Sequence, residues 1–181
     1  MKALINIDYT YDFVADDGAL TCGEPGQRIE GKIVELTKEF IANGDYVVFA
    51  IDVHNLDDKL HPESKLFPPH NLRGTSGRDL FGGLKDVYEA NSARENVDFM
   101  DKTRYSAFAG TELELKLRER GITEVHLIGV CTDICVLHTA VDAYNKGFKI
   151  VVYKDAVASF NQAGHEWALG HFEQSLGARV K

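Results

Sequence analysis

The sequence predicts a parallel α/β fold, and three observations carry that prediction. Short β-branched or apolar runs alternate with segments of helical periodicity. Five such strand-to-helix transitions gather the C-terminal ends of the strands on one edge of a sheet. No repeat, linker or compositional break divides the 181 residues, so a single domain spanning 1–181 is expected.

The elements follow in order. Residues 3–7 (Ala-Leu-Ile-Asn-Ile) form the first strand, which ends at Asp8. Ile29, Ile33, Leu36, Thr37, Phe40 and Ile41 recur at helical spacing, and Gly44 closes that helix. Tyr46 to Val53 reads as a second, largely buried strand, and Val97 to Met100 as a shorter third. Thr111-Glu-Leu-Glu114 has the form of a capping box opening a helix to Arg120, with Gly121 just past its end. Val125 to Val130 is the fourth strand, followed by a helix from about Asp133 to Lys146 that Gly147 stops. Ile150 to Tyr153 is the fifth. A helix near His165–Leu176, with Trp167 as its core anchor, precedes a short strand at Ala178–Val180. The stretch from about 54 to 96, rich in Pro, Gly and His, is long for a loop in a compact domain, which marks it as functional.

Composition narrows the function. Hydrophobic residues make up 44% of the chain, with 16 Gly and 4 Pro, which excludes disordered and collagenous classes. A net charge of −8 argues against a nucleic-acid partner, and no basic stripe favours an anionic membrane surface. No apolar run approaches the ~20 residues of a membrane span. Met1 leads straight into a strand pattern with no signal-peptide core. Three cysteines, Cys22, Cys131 and Cys135, do not frame a disulfide set, so a cytoplasmic location is expected.

The chemistry lies at the strand ends. Asp8, Asp52 with His54, Asp101 with Lys102, and Cys131 to Cys135 all converge on one edge. Thr132 or Asp133 can cap the helix that follows the fourth strand, placing Cys135 in its first turn. There the free backbone N–H groups favour an anion and lower the pKa of a thiol. Such a thiolate is a nucleophile, although free cysteines are also among the most buried residues. Cys131, at the strand's last position, is expected to contribute its backbone or packing, and Cys22 to be a bystander in a polar loop. Asp8 can serve as a base, and Lys102 can stabilise both carboxylate and thiolate. Asp52-Val-His54 has a spacing of two, which puts both side chains on one face of a strand. With His61, Glu63 and His70 in the following loop, these residues could hold Zn, Fe or Mn, and His61 and Glu63 compete for the last position. The Gly74-Thr-Ser-Gly77 segment lacks the lysine of a phosphate loop and does not follow a strand.

The motifs Asp8-x-x-x-Asp12-Phe13, Asp52-x-His54, Lys65-Leu-Phe67-Pro-Pro-His70, Gly74-Thr-x-Gly77, Lys102-x-x-Tyr105-Ser-Ala-Phe108 and Gly129-Val-x-Thr132-Asp-x-Cys135-Val occur in this order. The chain thereby resembles the nicotinamidases of the isochorismatase-like cysteine hydrolase superfamily over essentially its whole length. The resemblance implies a three-layer α/β/α sandwich around a six-stranded, mostly parallel, Rossmann-like sheet. It implies an Asp8–Lys102–Cys135 triad, with the backbone N–H groups of Cys131 and Cys135 as an oxyanion hole and a cis Val130–Cys131 peptide. It also implies a divalent transition metal, zinc before iron or manganese, held by Asp52, His54, His70 and Glu63. Phe13, Phe67 and Tyr105 would wall the pyridine ring, whose nitrogen the metal would hold. The implied substrate is nicotinamide, hydrolysed to nicotinic acid and ammonia, with pyrazinamide as a further substrate and homo-oligomer formation left open. A cysteine amidase acting on another small amide, or a non-catalytic metal-binding module, would share the fold.

Overall fold

The computed structural model describes residues 1–181. Six strands form one sheet: β1 (Ala3–Ile7), β2 (Tyr46–Asp52), β3 (Val97–Lys102), β4 (Glu124–Val130), β5 (Lys149–Ala158) and β6 (Arg179–Val180). Their spatial order is β3-β2-β1-β4-β5-β6, and every neighbouring pair is parallel, so the sheet is wholly rather than mostly parallel.

The helices are α1 (Tyr11–Val14), α2 (Glu24–Arg28), α3 (Glu30–Ala42), α4 (Gly83–Asn91), α5 (Leu113–Glu119), α6 (Leu137–Asn145) and α7 (Gln162–Gln174). They cover both faces, which is why β1 and β2 are buried along their whole lengths. The strand pleat divides the core in two. Ala3, Ile5, Ile7, Tyr46, Val48 and Ala50 pack with Leu113, Leu117, Ala140 and Phe172 from α5, α6 and α7. Leu4, Val47, Phe49 and Ile51 pack with Ile33, Leu36, Phe40 and Leu84 from α3 and α4. Each fully buried Val, Leu, Ile or Phe side chain in these layers contributes roughly 1.5–3 kcal/mol of transfer free energy.

Three local readings are corrected. The helix expected to open with a capping box starts two residues later, at Leu113. Thr111 Oγ1 donates to Ala107 O and accepts the N–H of Leu113, so its hydroxyl serves a turn rather than a cap. Trp167 is 58% exposed and stacks on His171, while Ala168 and Phe172 anchor α7. β5 extends to Ala158 rather than Tyr153, because a register shift opposite Leu127 and Gly129 lets its second half pair with the end of β4.

The strand order reverses direction between β1 and β4, and in open parallel sheets ligands bind at that crevice, beyond the strand C-termini. Close approach of these two strands requires Gly129, whose φ is +117°. A Cβ there would lie 2.0 Å from the carbonyl oxygen of Ile7. No helix is long and apolar enough to cross a membrane.

Candidate active site

Asp8 ends β1 in the left-handed region, at φ +54°, a conformation that aspartate tolerates better than most residues. Its N–H still donates to Ala50 O, while its Oδ1 accepts the N–H of Asp52 at 2.7 Å. The carboxylate is thereby turned across the sheet toward β3. Lys102 ends that strand and reaches back over Asp52 of β2, a span of roughly 10 Å at the usual strand spacing. Its Nζ lies 2.7 Å from Asp8 Oδ2, 3.7 Å from Asp52 Oδ1 and 3.7 Å from Cys135 Sγ, and donates to Arg104 O. Asp8 and Lys102 are essentially fully buried, and Cys135 is 7% exposed. The structure therefore brings Asp8, Lys102 and Cys135 into one water-poor cluster.

The nucleophile candidate sits on a wide turn between β4 and α6. Thr132–Val136 form a single π-helical turn, in which Cys131 O accepts the N–H groups of both Ile134 and Val136. Neither expected cap forms, because both side chains are engaged elsewhere. Thr132 Oγ1 pairs with His165 Nδ1 at 2.8 Å, and Asp133 Oδ1 accepts the hydroxyl of Ser159 at 2.6 Å. His165 of α7 and Ser159 just past β5 thus clamp the turn. The Val130–Cys131 peptide is cis, and the Cys131 N–H donates to no backbone or side-chain acceptor. Cys22 is no loop bystander: it is buried, with its Sγ 3.1 Å from Cys131 Sγ.

The electrostatics differ from the helix-dipole expectation for the thiol. Burial pushes the Cys135 thiol well up, against the pull of Lys102, so at rest it keeps its proton. Burial likewise raises Asp8, to about 6, with Lys102 opposing and Asp52 adding to the rise. Lys102 is held protonated by Asp8, Cys135 and Asp52, although burial alone would lower it. The cluster therefore pairs a neutral thiol with a carboxylate that ionises near pH 6, the order in which a base can take a proton on demand.

Four further donors meet beside this cluster. One ligand atom from each of Asp52, His54, Glu63 and His70 lies within 4.8 Å of the others. His54 Nε2 is 2.5 Å from Asp52 Oδ2. His70 donates Nδ1–H to Pro68 O, which turns its Nε2 toward Asp52 Oδ2 at 3.5 Å and Glu63 Oε2 at 3.6 Å. That buried nitrogen has no hydrogen-bond partner. Burial alone would lower the pKa of His70, yet Asp52 and Glu63 push it up to about 10, so without a cation this atom takes a proton. Two imidazoles and two carboxylates around an orphaned nitrogen suit a divalent transition ion. His61 does not join them. Its Nε2 donates to Thr103 O at 2.7 Å and its Nδ1 accepts the N–H of Glu63, so it caps the 3₁₀ turn Pro62–Lys65 and has no lone pair to offer an ion.

A slot runs between the two clusters, lined by Phe13, Phe67, Tyr105, Glu63, Cys131 and Cys135. Leu20, Ile134 and Phe160 complete its walls. Sequence reasoning missed these three, since apolar residues in a loop, a turn and a strand end carry no periodic signal. Phe13 and Phe67 both pack near the His70 ring, at 5.3 and 6.3 Å between centroids. A flat ring entering the slot would have the four-donor cluster at one end and Cys135 at the other.

The chain is similar to known proteins over essentially its whole length. The isochorismatase domain model matches residues 2–180. The chain superposes on the crystal structure of nicotinamidase/pyrazinamidase PncA from Bacillus subtilis with a TM-score of 0.98 and 67% identity, covering 99% of each chain. The pyrazinamidase/nicotinamidase of Streptococcus mutans UA159 matches with a TM-score of 0.98 and 56% identity over 100% of both chains. A pyrazinamidase of Pyrococcus horikoshii, solved in complex with zinc, matches with a TM-score of 0.85 and 28% identity, covering 99% of this chain and 98% of its own.

Proposed function

The chain belongs to the isochorismatase family, and from that premise we propose that it is a nicotinamidase, hydrolysing nicotinamide to nicotinic acid and ammonia and accepting pyrazinamide as well. One observation carries the reading: Cys135 of the Asp8–Lys102–Cys135 cluster and Glu63 of the Asp52–His54–Glu63–His70 cluster line a single aromatic-walled slot. The first suits attack on a carboxamide carbon, and the second suits recognition of a ring nitrogen.

In the proposed reaction the Asp8 carboxylate takes the Cys135 proton, and the thiolate sulfur bonds to the carboxamide carbon. The carbonyl electron pair moves to oxygen, where the N–H groups of Cys131 and Cys135 receive it. A single well-placed oxyanion donor is worth roughly 3–4 kcal/mol of barrier. On collapse the C–N bond breaks, and Asp8 returns the proton to the leaving amine, which departs as ammonia. Asp8 then deprotonates a water that attacks the thioester, the C–S bond breaks, and the proton returns to Cys135. Throughout, Lys102 compensates whichever of Asp8 and Cys135 is anionic, so no uncompensated charge is left in the buried cluster. A divalent ion, zinc by analogy with the P. horikoshii relative, would be held by Asp52, His54, Glu63 and His70 and would supply a Lewis-acid contact to the pyridine nitrogen. Phe13, Phe67 and Tyr105 orient the ring. Three free cysteines suit a reducing cytoplasm.

Ammonia release from nicotinamide, beside benzamide as a control lacking the ring nitrogen, tests the reading. Turnover of nicotinamide with little of benzamide is expected. Release from neither would overturn it.

A further inference from the structure

Asn71, the residue after His70, is fully buried and holds φ +44°. It is tied in three directions. Its N–H donates to Asp12 Oδ2 at 2.7 Å, its Oδ1 accepts the hydroxyl of Thr10 at 2.9 Å, and its carbonyl accepts the N–H of His54 at 3.1 Å. The next residues continue the link, since Leu72 forms a parallel bridge with His54 and Arg73 N–H donates to His54 O. One position therefore joins two of the candidate ion ligands, His54 and His70, to the segment that follows Asp8 and carries Phe13. Space for the Asp12 carboxylate is made by Gly77, where a Cβ would lie 2.2 Å from Asp12 Oδ2. This gives the glycine turn a packing role in place of the phosphate role discounted from its sequence.

The left-handed backbone matters because it reverses the chain immediately after His70. In an extended conformation, residue 71 could not keep its N–H on Asp12 and its carbonyl on His54 while His70 faced Asp52 and Glu63. Asparagine is among the few side chains that populate this region readily, and a β-branched residue is disfavoured there. We propose that Asn71 is the positioning residue of the four-donor cluster, fixing through its backbone and the Asp12 carboxylate the directions in which His54 and His70 present Nε2. The inference rests on reading that cluster as a metal centre. Groups that orient first ligands without touching the ion commonly change metal affinity by about 10–100-fold when altered.

The test is the zinc dissociation constant of metal-stripped protein, measured by competition with a chromogenic chelator, beside thermal unfolding of the same stripped samples. His70→Ala serves as the control for the metal-centre reading. Asn71→Val, which opposes the left-handed conformation, is expected to weaken zinc binding about 10–100-fold. Asn71→Gly keeps the backbone freedom and loses only the Thr10 bond, so it should stay within a few-fold of wild type. If Asn71→Val is poorly folded, Asn71→Ala takes its place as the milder opponent of positive φ. A purely structural role would lower the unfolding temperature of Asn71→Val and leave its zinc affinity unchanged, which overturns the proposal. If His70→Ala binds zinc as tightly as wild type, the metal-centre reading itself falls, and the proposal with it.

Discussion

Replacing Lys102 by methionine keeps most of the side-chain volume and deletes one charge from a fully buried site. The nearest consequence is at Asp8, whose Oδ2 lies 2.7 Å from the ammonium. At that distance the attraction is roughly 6 kcal/mol for an effective dielectric constant of about 20. Removing one partner of a buried pair typically leaves a net penalty of about 3–5 kcal/mol. At about 1.4 kcal/mol per pKa unit, that drives Asp8 up by at least ~2 units, because protonation is its escape from uncompensated burial. Asp8 stands at about 6 in the intact site and would rise to roughly 8 or above. A general base works only when ionised, so kcat/KM should fall as pH drops through about 6 in the wild type, and through roughly 8 in Lys102→Met. At pH 7 the ionised fraction alone would reduce the rate about tenfold, before the loss of thiolate stabilisation is counted. Stability carries the same sign. A carboxyl whose folded pKa is raised contributes fully below its unfolded value near 4, and that contribution is lost as pH rises through the folded pKa. The unfolding temperature of Lys102→Met should therefore fall further behind wild type between about pH 6 and 8. The assay is ammonia release across pH with parallel thermal unfolding. A folded Lys102→Met whose acid limb remains near pH 6 would refute the electrostatic coupling.

Cys135→Ala should abolish turnover while the protein stays folded, since the side chain is small and the cavity left is minor; circular dichroism with an ammonia assay checks both halves. Glu63→Gln should weaken zinc retention in elemental analysis, whereas His61→Ala should leave the ion bound and loosen only the Pro62–Lys65 turn. Zinc added to stripped protein at pH 7 in weak buffer should release about one proton per ion, because His70, raised to about 10 by Asp52 and Glu63, must give up its proton to become a ligand. An unchanged indicator signal would show that His70 is neutral before the ion arrives.

The strand ends were readable because β1, β2 and β4 are largely apolar and β3 carries Val97, Phe99 and Met100, and a parallel sheet places all such ends on one edge. Asp8, Asp52, Lys102 and Cys135 follow from that alone. Elsewhere, what decided the outcome was a contact made far along the chain. His61 and Glu63 look equivalent until Thr103, 42 residues from His61, engages one imidazole nitrogen. Cys22 meets Cys131 across 109 positions, so its burial has no local signature. Thr132 and Asp133 match the pattern of caps, yet His165 and Ser159 claim their side chains. The thiol pKa failed for a different reason. Helix-terminus dipoles favour an anion, but the burial of Cys135 outweighs them, and burial depth is a tertiary property.

The two halves of the site are anchored with unequal firmness. Asp8 ends the central strand β1, Lys102 ends the edge strand β3 with its buried ammonium tied to Asp8, and Cys135 sits on a turn held by His165 and Ser159, so the amides beneath Asp8 and Cys135 should be among the last to exchange with deuterium and should open only with the whole sheet. Glu63 and His70 hang on the long connection after β2, which has little regular hydrogen bonding and can open at far lower free energy. Warming or mild denaturant should therefore erase discrimination between amides before it silences bond cleavage. The same asymmetry leaves the connection free to diverge in descendants, which would inherit a working nucleophile and aim it at a different small molecule.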